Sequence, residues 1–331
     1  MRYYQYSFNQ LAIQINFSII GLMAMIFSQL AIAQSWPNRP INLVTPLATG
    51  SASDVALRIV AERLGTALGQ TLLIDNQTGA SGAIGAEKVM RATADGYTFC
   101  GCNNAILGVL PQLRKVSYDP KLFKPVGMIA VLPTVLVVHP SIPVNTIPEF
   151  IAYIRANPGK VNYASGGVGS PQHIAMAMFE SLANVKLVHV PYKGASQAAV
   201  GTAGGEVAAM FNAIGTVLPL IKSGKLKPIG IAGAQRTNIL PEVPTIAESG
   251  VKGYNYASWI GIVAPPNTPD EVVSKLSTEL FKVVNSLDVA KKLADNGIDP
   301  MAMSAIQMGA YMAADYQKMG KVIEDAQIKA E

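Results

Sequence analysis

The chain is 331 residues long, half apolar and 14% charged, with 26 Lys and Arg against 21 Asp and Glu. Charge that sparse, against roughly 25% in an average soluble domain, excludes a disordered tail, a collagen-like repeat and a long charged coiled coil. A mean hydropathy of +0.29 leaves a multi-span membrane protein as the class to test first.

The N-terminal segment answers that test. No charged residue stands between Arg2 and Arg39, and the gap holds the apolar run 19–27. Ala31 and Ala33 supply small residues just before Gln34. One cation, a short apolar core and an Ala-x-Ala site make the layout of a secretory signal peptide, predicted over 1–33 with cleavage after Ala33. A retained anchor needs about 20 apolar residues, and Gln14, Asn16 and Gln29 interrupt any window of that length. Gln34, not a Cys, follows the site, so no lipid anchor is indicated. Removing 33 of the 331 residues leaves 298, and losing Arg2 leaves 25 cations against 21 carboxylates. No later run of 18 residues is apolar without charge, Gly or Pro, so a soluble mature chain is expected. So small an excess of charge is no nucleic-acid footprint.

The mature chain then alternates in period. Residues 41–46 read as a buried strand, and 53–68 show helical spacing through Val55, Ile59, Val60, Leu64 and Leu68, with Gly69 as the stop. A strand at 71–75 and a helix at 83–92 follow, and Asp95-Gly96 turns into a strand at 97–100. The same beat predicts strand 161–164 with helix 171–182, strand 187–190 with helix 196–203, and strand 207–211 with helix 217–221. Such alternation implies parallel sheets wound in right-handed units. Two segments break it. Strand 134–139 follows strand 126–131 with no room for a helix between them. Strand 259–264 precedes Pro265-Pro266, after which everything reads as helix: 270–285, 287–296 and 305–330. Both strands are read as crossings, the chain building part of one domain, all of a second, and returning to finish the first.

Cys100 and Cys102 sit two apart on a strand, with near-parallel Cβ directions that would strain a bridge. They are expected to be unpaired, partly buried thiols. His139, His173 and His189 are too scattered for a metal site. Four Gly/Ser-rich turns, at 45–54, 102–104, 164–170 and 191–194, follow strand ends and precede helices. Helix N-termini there present free backbone N–H groups, which points to a small, anionic solute. Ser53 is read equally as a helix cap or a ligand contact, and Lys193 as an anion clamp or a solvated turn lysine. Trp259 and Tyr192 either line a cleft or fill a seam. G-x-S-x-G, P-loop, dinucleotide, H-E-x-x-H and EF-hand motifs are absent, so no catalytic centre, cofactor or metal is expected. Ser170 and His173 are read as a cap and a first-turn side chain. The alternative is a secreted hydrolase built on Ser165 or Ser170 with His173, which lacks a third residue to orient the histidine.

A series of short motifs carries a resemblance. Pro46-Leu-Ala-Thr-Gly-Ser-Ala-Ser-Asp54 follows a P-F-x-P-G-G-x-x-D loop, and Asn76-Gln-Thr-Gly-Ala-Ser-Gly-Ala-Ile-Gly85 an N-R-x-G-A-x-G-x-x-G stretch. Asp95-Gly-Tyr-Thr98, Tyr118-Asp-Pro120, the run from Pro158 to Gly166, Val190-Pro-Tyr-Lys-Gly194 and Leu240-Pro-Glu-Val-Pro-Thr245 complete it in order. The sequence resembles the Bug family, the extracytoplasmic solute receptors of tripartite tricarboxylate transporters, over essentially the whole mature chain.

The resemblance implies an α/β, two-lobe periplasmic binding protein of type II-like, Venus-flytrap form. Each lobe would be a wound, mostly parallel sheet with flanking helices, and the two crossing strands would be the hinge. Lobe I would comprise 34–134 and 259–331, and lobe II 135–258. A small carboxylate would be captured between the lobes and passed to membrane permease subunits by a monomeric, non-enzymatic receptor; a ligand-presenting sensor is the alternative role. The implied contacts are Leu47, Ala48, Gly50, Ser51, Ala52 and Asp54 in the first loop, and Cys102 or Asn103 in the second. Ser165, Gly169, Ser170 and His173 would supply the third, with Lys193, Gly194 and Asn212 beyond. The chain departs from the pattern at Leu47 for an aromatic, Thr49 for Pro, Ser51 for Gly and Gln77 for Arg, so no particular family ligand carries over.

Overall fold

The computed structural model describes residues 36–328, and the expected leader over 1–33 lies outside them. The predicted beat appears in order. β1 (Ile41–Thr45), α1 (Ala52–Leu68), β2 (Leu72–Asn76), α2 (Ala83–Met90), β3 (Thr98–Asn103) and β4 (Lys124–Leu132) open the chain. β5 (Thr134–Val138), α3 (Ile147–Ala156), β6 (Asn162–Ser165), α4 (Pro171–Ala183), β7 (Val188–Pro191), α5 (Ala195–Ala203), β8 (Ala209–Ala213), α6 (Ile214–Lys222) and β9 (Lys227–Ile231) follow. β10 (Ser258–Ala264), α7 (Asp270–Val284), α8 (Leu287–Asp295), β11 (Asp299–Met303) and α9 (Ala305–Asp325) close it. Gly69, with a left-handed φ of 69°, ends α1 as expected.

The strands form two sheets, ordered β11-β4-β10-β3-β1-β2 and β7-β6-β8-β5-β9. Both are mixed. β1 pairs β2 and β3 in parallel, and β6 pairs β7 and β8 in parallel. β10 runs antiparallel to β3 and β4, and β5 antiparallel to β8 and β9. Strand–helix–strand winding makes the parallel halves. The antiparallel halves arise where the chain enters a sheet from the other one. β5 and β10, expected as crossings, each lie wholly in one sheet. The chain passes between sheets at Pro133, between β4 and β5, and returns just before Ser258, which pairs in register with Leu132.

Three elements escape the periodic reading: α3, β9 and β11. The last corrects the expectation that everything after residue 264 is helical. A π-helical turn, Ala105–Val109, also follows β3 directly.

Cys100 and Cys102 are joined in a disulfide, with Cα atoms 5.6 Å apart, and both are fully buried, which corrects the expectation of free thiols. A regular strand advances roughly 3.3 Å per residue and would hold them about 6.6 Å apart. β3 is contracted here to a separation usual for bridged cysteines.

Each sheet has its own core. Cys100, Cys102, Met128, Trp259, Val263 and Met308 belong to that of the first sheet. Phe150, Phe179, Phe211 and Tyr254 centre one face of the second, and Val135, Val137, Met210 and Val217 the other. α9 is shared: Met308 joins the first core, whereas Met319 lies in the second with Val322 and Ile323 packed against it. The end of this helix therefore rests on the sheet opposite the one expected to own 259–331.

Candidate functional site

The loops after β1, β2 and β3 on one sheet face those after β6, β7 and β8 on the other, enclosing a cavity of about 430 Å³. Leu47, Ala48, Ser51 and Ala52 line it from the first loop, and Thr78 to Gly82 from the second. Asn103, Ala105 and Ile106 contribute from the end of β3, and Ser170 with Gln172 from the start of α4. Lys193, Gly194, Asn212 and Thr216 complete the opposite wall, with Thr134 and Ser258 also on the lining.

Why these residues gather here follows from local structure. Ser51, not Ser53, caps α1, its Oγ accepting from Asp54 N at 3.3 Å. Asp54 is buried and turned away from the cavity. Its carboxylate accepts from Gly50 N at 3.0 Å, from Arg58 at 3.0 Å and from Asn76 Nδ2 at 2.9 Å. Asn76 also donates to Leu47 O at 3.1 Å, so one side-chain network fixes both ends of the first loop. Burial opposes the Asp54 charge, but the bonds from Arg58, Asn76 and Gly50 outweigh it and hold the carboxyl below its usual value.

Strand alternation decides between the two candidates in the second segment. Side chains two apart share a face, so Cys100 and Cys102 both enter the first core while Asn103 reaches the cavity. Cys102 is therefore off the lining, its sulfur bridged and buried.

The third segment is layered in the same way. Ser165 ends β6, and its Oγ lies 2.6 Å from His189 Nε2 on the adjacent β7 while accepting from Gly167 N at 3.0 Å. Gly169 N donates to His173 Nδ1 at 3.2 Å, and Ser170 Oγ accepts from His173 N at 3.4 Å, making Ser170 the expected cap of α4. The His173 ring stacks on His189 with centroids 4.5 Å apart, and His189 stacks on Tyr163 at 4.9 Å. Burial, followed by the neighbouring His189 and Lys186, lowers His173 to about 4. Its Nδ1 takes the Gly169 amide, not the Ser170 hydroxyl, so no serine–histidine pair of the hydrolase alternative forms. Gly50, Asp54, Ser165, Gly169 and His173 thus stand one layer behind the lining, holding its loops.

Lining residues that sequence reading left without a role include Thr78 to Gly82, Ala105, Ile106, Thr134, Gln172, Thr216 and Ser258. Thr78 to Gly82 lie in the second recognised motif, and Thr134 and Ser258 open the two strands flagged as crossings. Gln172 and Asn212 meet through a 3.4 Å bond, and Asn212 Nδ2 donates to Ala195 O at 3.1 Å. Tyr192 is on the lining with its hydroxyl donating to Glu206 at 2.7 Å, whereas Trp259 is buried in the first core and donates from Nε1 to Asp315 at 3.0 Å.

Charge is almost absent from the wall. Among the described residues Lys193 is the one charged side chain that lines it. In its place α1, α4, α5 and α6 begin at or beside the cavity, each turning the positive end of its dipole toward it. The opposing loops are already in contact. Ser81 Oγ donates to Val168 O at 2.7 Å, Ser196 Oγ to Thr49 O at 3.1 Å, and Ala52 N to Thr216 Oγ1 at 2.9 Å.

A family model described as the tripartite tricarboxylate transporter family receptor matches residues 56–328. Protein BugT of Bordetella pertussis is 30% identical over 303 residues, covering 90% of this chain and 92% of its own. A UPF0065 protein of Pseudomonas sp. strain P51 is 32% identical over 298 residues, covering 89% of each. Among solved structures, R. palustris Rpa4515 with adipate superposes with a TM-score of 0.87 at 34% identity, covering 89% of this chain and 99% of that one. MatC of Rhodopseudomonas palustris with bound malate gives 0.82 at 27% identity, covering 87% and 100%.

Proposed function

This chain belongs to the tripartite tricarboxylate transporter receptor family, and on that premise we propose that it draws a small carboxylate into the cavity between its sheets for delivery to a membrane permease. It is a solute-binding receptor of an extracytoplasmic family, not an enzyme. The observation that carries the reading is the convergence of the α1, α4, α5 and α6 N-termini on a wall whose charged lining is Lys193. Such termini hold anions without a buried counter-charge, because the donors are fixed by the helices themselves.

Leu47, Ala48, Ser51, Ala52, Asn103, Ser170, Lys193, Gly194 and Asn212 make the contacts in this reading. Gly50, Asp54, Ser165, Gly169 and His173 keep their loops in place. One body comprises 34–134 with most of 259–331, the other 135–258, and they close by rotation about the passages at Pro133 and Ser258. The ligand shifts that equilibrium because it touches both bodies at once. The protein works in the periplasm after loss of residues 1–33. Adipate and malate, held by the R. palustris neighbours, head the panel for a thermal-shift test. An acid at 100 times its dissociation constant stabilises the fold by roughly 2.7 kcal/mol, raising the melting temperature by about 5 °C in a chain of this size. A broad panel of mono-, di- and tricarboxylates that leaves the melting temperature unmoved refutes the reading.

A further inference from the structure

The hydroxyls on the cavity wall fall into two sets once their protons are followed. In the first, each oxygen already accepts a backbone N–H and so has its proton to give. Ser51 accepts from Asp54, Ser170 from His173 and Thr216 from Ala52. Asn103 belongs with them: its Oδ1 accepts from Ile106 N at 3.2 Å, which leaves the buried Nδ2 for the cavity. These donors suit a carboxylate.

The second set is the reverse. Thr134 Oγ1 gives its proton to Leu132 O at 3.1 Å, and Ser258 Oγ gives its proton to Asn104 Oδ1 at 2.8 Å. The Asn104 oxygen is fixed in that role because its Nδ2 donates to Ala257 O at 3.3 Å. Both hydroxyls are 4% exposed or less and both line the cavity. With their protons committed they present lone pairs alone. They stand together, because Ser258 pairs with Leu132 and Thr134 is two residues further on. A carboxylate oxygen against them would be repelled, whereas a hydrogen-bond donor would be held.

We infer that the ligand is a hydroxycarboxylate, its carboxylate on the helix N-termini and its hydroxyl donating to Thr134 and Ser258. The inference rests on the carboxylate reading above and narrows it. An ammonium would also donate, but among the described residues no Asp or Glu lines the cavity, and Lys193 already supplies a positive charge. A buried ammonium would then lack a counter-ion, which a neutral hydroxyl does not need.

Calorimetric titration of the purified protein with matched pairs tests this: succinate with malate, glutarate with 2-hydroxyglutarate, propionate with lactate. The hydroxy acid of a binding pair is expected to be held about tenfold more tightly, the effect of one well-made hydrogen bond. Thr134→Val and Ser258→Ala each bring that ratio toward one, and Thr134→Ser restores it. If Ser258→Ala fails to fold, the Thr134 pair carries the comparison. Equal or tighter binding of the plain acids overturns the hydroxyl assignment and leaves the carboxylate receptor standing. A ratio unmoved by Thr134→Val overturns the role given to the Thr134 and Ser258 hydroxyls. Failure of every acid to bind removes both the inference and the reading beneath it.

Discussion

The carboxylate of Asp54 ties Gly50, Arg58 and Asn76 together beneath the first cavity loop. Removing it in Asp54→Ala leaves three donors without their acceptor, a loss of about 2 kcal/mol, to be read from urea unfolding at pH 7. Because its folded-state value lies below the usual 3.8, its stabilisation is full above that pH and disappears as the pH falls through the folded-state value. His173 fails earlier. Its ring accepts from Gly169 N, and burial holds its proton affinity down to about 4. Between the ordinary 6.5 and about 4 the unfolded chain binds the extra proton, so stability falls with pH across that window, by up to about 3 kcal/mol. A His173→Gln variant is expected to flatten the unfolding profile there and leave the loss below pH 4 in place. The cavity lining was legible in sequence at this scale wherever a motif residue starts a helix, as at Ser51, Ser170 and Gly194. Cys102, Ser165 and His173 stand off that lining, because a motif fixes neighbours along the chain and not which side of a strand or turn each one faces.

Elements that pack backbone against side chain are the next level. Gly101 lies on β3 against α1, and a Cβ there would come within 2.5 Å of a Leu57 methyl. Leu57 is fully buried, so Gly101→Ala should cost about 1–3 kcal/mol by denaturant titration. In a Leu57→Ala background the added penalty should shrink, since the clashing group is gone. The alternation of strand and helix was readable because β1, β6 and β8 lie inside their sheets and are mostly buried, so apolar residues dominate at Leu43-Val44, Tyr163-Ala164 and Ala209-Met210-Phe211. β9 and β11 were not. Both are edge strands, and Pro228 and Pro300 sit within them. Proline is tolerated at an edge, where its missing N–H faces no partner, yet in a pattern search it argues against a strand. The disulfide was missed for a related reason: spacing assumes a regular rise per residue, and β3 departs from it.

At the scale of the whole molecule, the two walls of the cavity are held by a few short polar bonds and by close backbone approach. Gly194 is one such place on the lining, where a Cβ would lie 2.5 Å from that of Ala48. Its backbone is extended, so Gly194→Ala introduces bulk without strain. The substitution is expected to weaken ligand binding at least tenfold by calorimetry and to keep scattering curves of the ligand-saturated protein at the dimensions of the open form. Unchanged affinity would show that the walls need not approach this closely.

α9 sets a limit on that motion. Its residues Met308 and Met319 are anchored in different cores, and eleven steps of helix keep them about 16 Å apart. An α-helix does not stretch, so it acts as a strut of fixed length beside the two strand passages. In the proposed closure the bodies swing or twist about it and do not draw straight apart. In the proposed receptor the edge beside the strut is therefore the one that moves least.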